Sequence, residues 1–207
     1  MIRIFKTMIP FQIILFLCLT VLSPAYADTE KSEKQLPELK EPFELGVEYL
    51  WPTSLDRRIQ TTAVNVLWRY GYYNDLLVSV YSGLTMNYAW GNSIRKDLNG
   101  WETEYSNSAF GIGPLLHFRW VPVSLDNLTF SMDANGGFIF HNKEFPAGGD
   151  LYNFIWRIGP SIQYTLEDKN ALIFGFRLMH VSNGQGATRD NPAYNAAGIG
   201  LHVSRHF

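Results

Sequence analysis

From Phe43 to the C-terminus, apolar and polar residues alternate almost one by one, and nowhere in that stretch is there a run of the ~20 apolar residues that a membrane-crossing helix needs. A period of two is the period of a β-strand, whose successive side chains point to opposite faces. The chain is therefore expected to fold into strands whose two faces meet different surroundings. Over roughly 43 to 52, Phe43, Leu45, Val47, Tyr49 and Trp51 alternate with Glu44, Gly46 and Glu48. A second segment sets Val64, Val66, Trp68 and Tyr70 against Asn65 and Arg69. A third sets Val78, Val80, Leu84, Met86, Tyr88 and Trp90 against Ser79, Thr85 and Asn87. Five more follow: Phe110 to Trp120, Leu128 to Phe140, Phe154 to Leu166, Leu172 to Leu178, and Ile199 to Phe207.

Two architectures accept this pattern. In a soluble sandwich the apolar rows would pack against each other and the polar rows would meet water. In a transmembrane barrel the apolar rows meet lipid, and a narrow lumen holds glycine, small polar groups and paired charges. Long strands, aromatic residues near strand ends and the terminal Phe207 on an apolar row favour an eight-stranded antiparallel transmembrane β-barrel. Its lumen is expected to pair Arg69, Arg119, Arg157 and Arg177 with Glu44, Glu48 and Asp133. Tight turns are expected near 73–75, 124–126 and 167–170. Longer loops near 52–61, 91–105, 142–150 and 183–193 are assigned to the extracellular side.

The N-terminus indicates how such a barrel reaches a membrane. Arg3 and Lys6 precede an apolar run from Ile9 to Leu22 and then Ser23-Pro24-Ala25-Tyr26-Ala27, the order of a secretory signal peptide cut after Ala27. Residues 28–42, polar and without periodicity, read as a flexible periplasmic arm, and 43–207 as the barrel. The only cysteine, Cys18, lies in the segment to be removed, so the mature chain is expected to have no disulfide and no thiolate metal site. Loss of Arg3 and Lys6 takes the formal net charge from −2 to −4, which argues against nucleic acid as a partner. His117, His141, His202 and His206 show no metal-ligand grouping with carboxylates, so neither a metal nor another cofactor is expected.

The seventh segment ends Arg177-Leu178-Met179-His180-Val181-Ser182-Asn183-Gly184. By parity, His180 and Ser182 continue the apolar row of Leu172, Phe174, Phe176 and Leu178, where polar side chains are out of place. A serine and a histidine two apart on one face suit a nucleophile and its general base. If the loop that follows is symmetric about 187 and 188, Asn195 stands opposite His180 and can fix the imidazole tautomer. Asn183 and the Gly184 N–H are candidate oxyanion donors. The same residues also fit ordinary polar positions where a strand leaves the hydrocarbon zone.

The run Phe176 to Asn183, followed by Asn191-Pro192-Ala193-Tyr194-Asn195 and a last amphipathic strand, resembles the lipid A 3-O-deacylase (PagL) family and related acyloxyacyl hydrolase-like proteins. The resemblance covers about 32 residues. It implies an eight-stranded barrel in the outer membrane of a Gram-negative cell, with lipid A of lipopolysaccharide as substrate. It also implies Ser182 as nucleophile, His180 as base and Asn183 as an oxyanion contributor. Where that family carries a glutamate, this chain has Asn195; no glutamate follows Glu167, and Asp190 is the only carboxylate downstream of Asp168. Homodimer formation is left open. Two other functions fit the sequence: a non-catalytic barrel with a structural or adhesive role, and an acyltransferase with an internal lipid pocket. The latter would need an apolar lumen, whereas arginine and acid are expected there.

Overall fold

The computed structural model describes residues 42–96, 102–166, 170–184 and 191–206. The expected signal peptide, the arm up to residue 41, the 167–169 part of the third turn, Asp190 and Phe207 lie outside the described residues. Eight antiparallel strands run in order: β1 (Pro42–Pro52), β2 (Arg57–Tyr73), β3 (Val78–Lys96), β4 (Glu102–Leu125), β5 (Leu128–His141), β6 (Tyr152–Thr165), β7 (Asn170–Ser182) and β8 (Tyr194–His206). Each pairs with its neighbours in sequence, and β1 pairs with β8 from Pro42↔His206 to Pro52↔Ala196, which closes the barrel and leaves no open edge along that seam.

Burial decides between sandwich and barrel. Phe174 is 52% exposed and Leu201 56%, whereas Glu44 and Asp133 are 0% exposed and Glu48 1%. A soluble protein would reverse these values. The outer surface is an apolar belt suited to lipid, and the continuous β1–β8 ladder pairs backbone along the seam, as hydrocarbon requires.

At one end the connections are short. A 3-10 turn at Asn74–Leu76 joins β2 to β3, with Leu77 in the left-handed region at φ 53°. Asp126 and Asn127 alone join β4 to β5, Asp126 taking φ 42°, a conformation that aspartate tolerates in a two-residue hairpin. At the other end, the loops expected over 52–61 and 91–105 are shorter than anticipated, because β2, β3 and β4 continue past the apolar belt. Their ladders persist through Arg57↔Ser93 and Lys96↔Glu102. Above the hydrocarbon the outer face of these strands meets water, so the apolar–polar contrast fades while the hydrogen bonds continue.

The lumen has two halves. Toward the short turns, Arg119 spans Glu44 (Nη1–Oε2 2.8 Å) and Asp133 (Nε–Oδ1 2.9 Å). Arg177 reaches Asp133 at 2.7 Å and Glu48 at 3.4 Å, while Arg157 reaches Glu48 at 3.3 Å and donates to Asn65 at 3.1 Å. His202 also lies in the lumen and bridges Glu44 at 2.7 Å and Glu48 at 3.5 Å. Arg69 does not join: it sits half-buried beside a register shift in β2, and no ion pair to it is found among the described residues.

Toward the long loops the lumen is apolar, contrary to the expectation of arginine and acid throughout. Leu50, Ile59, Ile139, Ile155, Met179 and Val181 meet Phe145, which descends from the β5–β6 loop. Asn153 holds that loop, its Nδ2 donating to the Phe145 carbonyl at 2.9 Å. These side chains are almost fully buried against one another, so they form a packed plug. The inward positions at strand tops are themselves apolar, which is why alternation did not reveal them.

Candidate functional site

At the top of β7 the alternation carries His180 and Ser182 onto the outward row, above Phe174, Phe176 and Leu178. The register puts His180 between Trp156 of β6 and Asn195 of β8. Asn195 therefore stands opposite His180, as loop symmetry suggested. The side chains meet: His180 Nδ1 lies 2.7 Å from Asn195 Oδ1. An amide oxygen accepts only, so this contact places the ring proton on Nδ1 and leaves Nε2 as the basic nitrogen. On its other side the imidazole stacks on Trp156, centroids 5.6 Å apart and planes 29° apart. Ring position and tautomer are thus both fixed by neighbours one strand away.

Ser182 sits one row higher, where it pairs with Phe154 of β6 and where the β7–β8 ladder has already ended at Val181↔Tyr194. Its hydroxyl is on the same outward row as the imidazole, and no hydrogen bond joins the two among the described residues. The ester chemistry anticipated here needs that contact to form when substrate arrives, as catalytic hydrogen bonds often do.

Asn183 has odd parity and turns inward, 1% exposed. Its Nδ2 donates to Asp150 Oδ2 at 2.8 Å, and its backbone N–H donates to Asn191 Oδ1 at 3.2 Å. The expected oxyanion role of its side chain is not supported by this arrangement, since the amide is directed at a loop carboxylate and away from the Ser182 face. Asp150 was missed in the sequence because it lies 33 residues from Asn183 and meets it only through the folded β5–β6 loop. Gly184 follows with φ +70°, and a Cβ there would come within 2.8 Å of Phe154 Cε2. Glycine is therefore required both by conformation and by the close ring.

Among the described residues no cluster of three or more histidine, cysteine, aspartate or glutamate side chains could hold a metal. Nearby, Arg57 of β2 donates to the Ala193 carbonyl and the Thr53 N–H donates to the Asn195 carbonyl at 3.2 Å, so the entry to β8 is tied to the β1–β2 connection.

The sequence matches no protein-family model and no curated protein. Among solved structures the chain is similar to the outer membrane enzyme PagL, with 12% identity, a TM-score of 0.49, and coverage of 79% of this chain and 99% of that one. It is also similar to the outer membrane protein AlkL, solved by solid-state NMR in DMPC lipid bilayers, with 10% identity, a TM-score of 0.36, and coverage of 87% and 96%. The β domain of the Bordetella autotransporter BrkA matches with 10% identity, a TM-score of 0.32, and coverage of 81% and 99%.

Proposed function

We propose that this barrel resides in a Gram-negative outer membrane and is a lipid A deacylase, a serine esterase that removes a 3-hydroxyacyl chain from lipid A of lipopolysaccharide. The observation that carries the reading is the 2.7 Å contact between His180 and Asn195 on a lipid-facing row, one row below Ser182. Polar groups are costly on a face that otherwise meets hydrocarbon, and a substrate that is itself a membrane lipid accounts for them.

In this reading the substrate's acyl chain lies along Leu178, Phe176 and Phe174. Ser182 Oγ attacks the ester carbonyl as His180 Nε2 takes its proton. The Gly184 N–H is the candidate donor to the oxyanion. Collapse of the tetrahedral species expels the sugar hydroxyl, which recovers the proton from His180, and leaves a 3-hydroxyacyl ester on Ser182. Water, deprotonated by the same nitrogen, then releases the 3-hydroxy acid and frees the serine. Asn195 keeps the tautomer correct throughout but lacks the negative charge that would stabilise the imidazolium.

Labelling of the folded barrel by a long-chain alkyl fluorophosphonate tests the nucleophile. Ser182 is expected to carry the adduct, and His180→Ala is expected to abolish it. Absence of the adduct, or labelling indifferent to His180→Ala, contradicts the reading. A second reading, a non-catalytic outer-membrane barrel with a structural or adhesive role, draws on Asn195 standing where a carboxylate would help and on the engagement of Asn183 with Asp150.

A further inference from the structure

On the wall opposite β7, the extensions of β2, β3 and β4 carry a polar groove of about 540 Å³. The register orders it in two rows on the outward face. Arg58, Asn92 and Ser106 are cross-strand partners in the upper row, and Gln60, Trp90 and Ser108 in the lower. Lys143, from the β5–β6 loop, adds a second cation to the lining. Immediately beneath come Thr62, Tyr88 and Phe110, and then Val64, Met86 and Ile112. Tyr88 stacks on Trp90 at 5.4 Å, and the Tyr49 hydroxyl donates to Gln60 at 3.2 Å. Downward along one wall, the surface changes from cationic and amide-rich through aromatic to aliphatic within a few residues. That is the vertical order of a lipid with a polar head, an interfacial zone and acyl chains.

The groove's chemistry selects the head. It offers a guanidinium, an ammonium, amides and hydroxyls, and none of its lining residues is acidic. Glu104 stands beside it but is engaged, accepting from Asn92 Nδ2 at 2.7 Å. Two cations with several neutral donors suit a phosphate monoester on a sugar, where arginine supplies paired hydrogen bonds and lysine a point charge.

We propose that this groove binds the phosphorylated sugar head of an outer-leaflet glycolipid, with the acyl chains lying down the Met86 face. Because β3 stands four strands from β7 in the ring of eight, a lipid held here is remote from Ser182 and is not the one being cut. The site anchors and orients the barrel in the leaflet, independently of any esterase activity.

The test is binding of purified, folded wild type and an Arg58→Gln/Lys143→Gln variant, measured by native mass spectrometry from detergent. The probes are lipid A bearing its phosphates, the same lipid A enzymatically dephosphorylated, and inorganic phosphate. Wild type is expected to retain phosphorylated lipid A, to hold the dephosphorylated form roughly tenfold less well, and to lose a similar factor in the double variant. The comparison is made with Ser182→Ala in every protein, so that lipid A is not consumed as a substrate during the measurement. Equal retention by wild type and double variant overturns the proposal, as does indifference to the lipid's phosphates. Binding of inorganic phosphate with no preference for the lipid also overturns it. Both variants must migrate as the compact species in unheated detergent gels. The Ser182 site is then the same in every protein compared, so the differences read the groove alone.

Discussion

Nδ1 of His180 on β7 and Oδ1 of Asn195 on β8 are 2.7 Å apart, as register partners at the top of the barrel's outer face. The contact gives the imidazole the orientation that a base needs, but with a neutral partner in place of an anion.

Replacing that neutral partner by a charged one is the most informative single change. Asn195→Asp is expected to raise kcat roughly tenfold, because a carboxylate in the same row stabilises the imidazolium formed as Ser182 is deprotonated. Asn195→Ala, which frees the ring to change tautomer, is expected to lower kcat by about the same factor or more. Steady-state kinetics on lipid A micelles distinguish these outcomes; a fall in kcat for Asn195→Asp in a folded barrel contradicts the assigned role.

Trp156 holds the other face of the imidazole. Loss of a stacked aromatic pair costs about 0.5–1.5 kcal/mol, so Trp156→Ala is expected to lower kcat/KM several-fold while leaving the barrel folded. Trp156→Phe should restore most of the loss. Equal activity in all three proteins would show that the stack does not position His180.

Much of this fold was legible in the sequence, and the failures have physical causes. Alternation from Phe43 onward specified eight strands and an apolar exterior, because a bilayer outside and a polar lumen inside impose opposite demands on adjacent residues. It gave the top of β2, β3 and β4 poorly: Arg57 to Gln60 and Glu102 to Asn107 meet water on the outer side and lose the contrast. The placement of His180, Ser182 and Asn195 on one face followed from parity alone. The direction of Asn183 toward Asp150 depends on a ten-residue loop between β5 and β6, and no period encodes such a contact. Nor did alternation reveal His202 between two glutamates, since parity gives a face and not a partner.

The lumen network predicts where stability resides. Arg119 is 3% exposed and bonded to both Glu44 and Asp133, so Arg119→Leu removes the cation these two buried carboxylates share and leaves Glu44 to His202 and Asp133 to Arg177. Removing one partner of a buried ion pair costs about 3–5 kcal/mol, and a loss of that size is expected in urea unfolding of the barrel in lipid vesicles. A change below about 1 kcal/mol would mean that His202 and Arg177 alone hold Glu44 and Asp133, and that Arg119 does not carry the network.

Gly184 tests the turn that follows Ser182, the proposed nucleophile. With φ at +70° and Phe154 close by, Gly184→Ala forces strain of about 1–3 kcal/mol onto the residues just after Ser182. Activity is expected to fall at least tenfold with little change in unfolding midpoint, since the strain relaxes by moving an exposed turn. A variant with full activity would remove Gly184 from the candidate oxyanion site.

The most direct measurement is mass spectrometry of lipid A from a Gram-negative host lacking other deacylases and producing either the wild type or Ser182→Ala. The wild type is expected to yield lipid A lighter by one 3-hydroxyacyl chain, and Ser182→Ala to leave it intact. Identical, fully acylated lipid A in both strains, with folded barrel demonstrated in the outer membrane of each, would contradict the proposed activity.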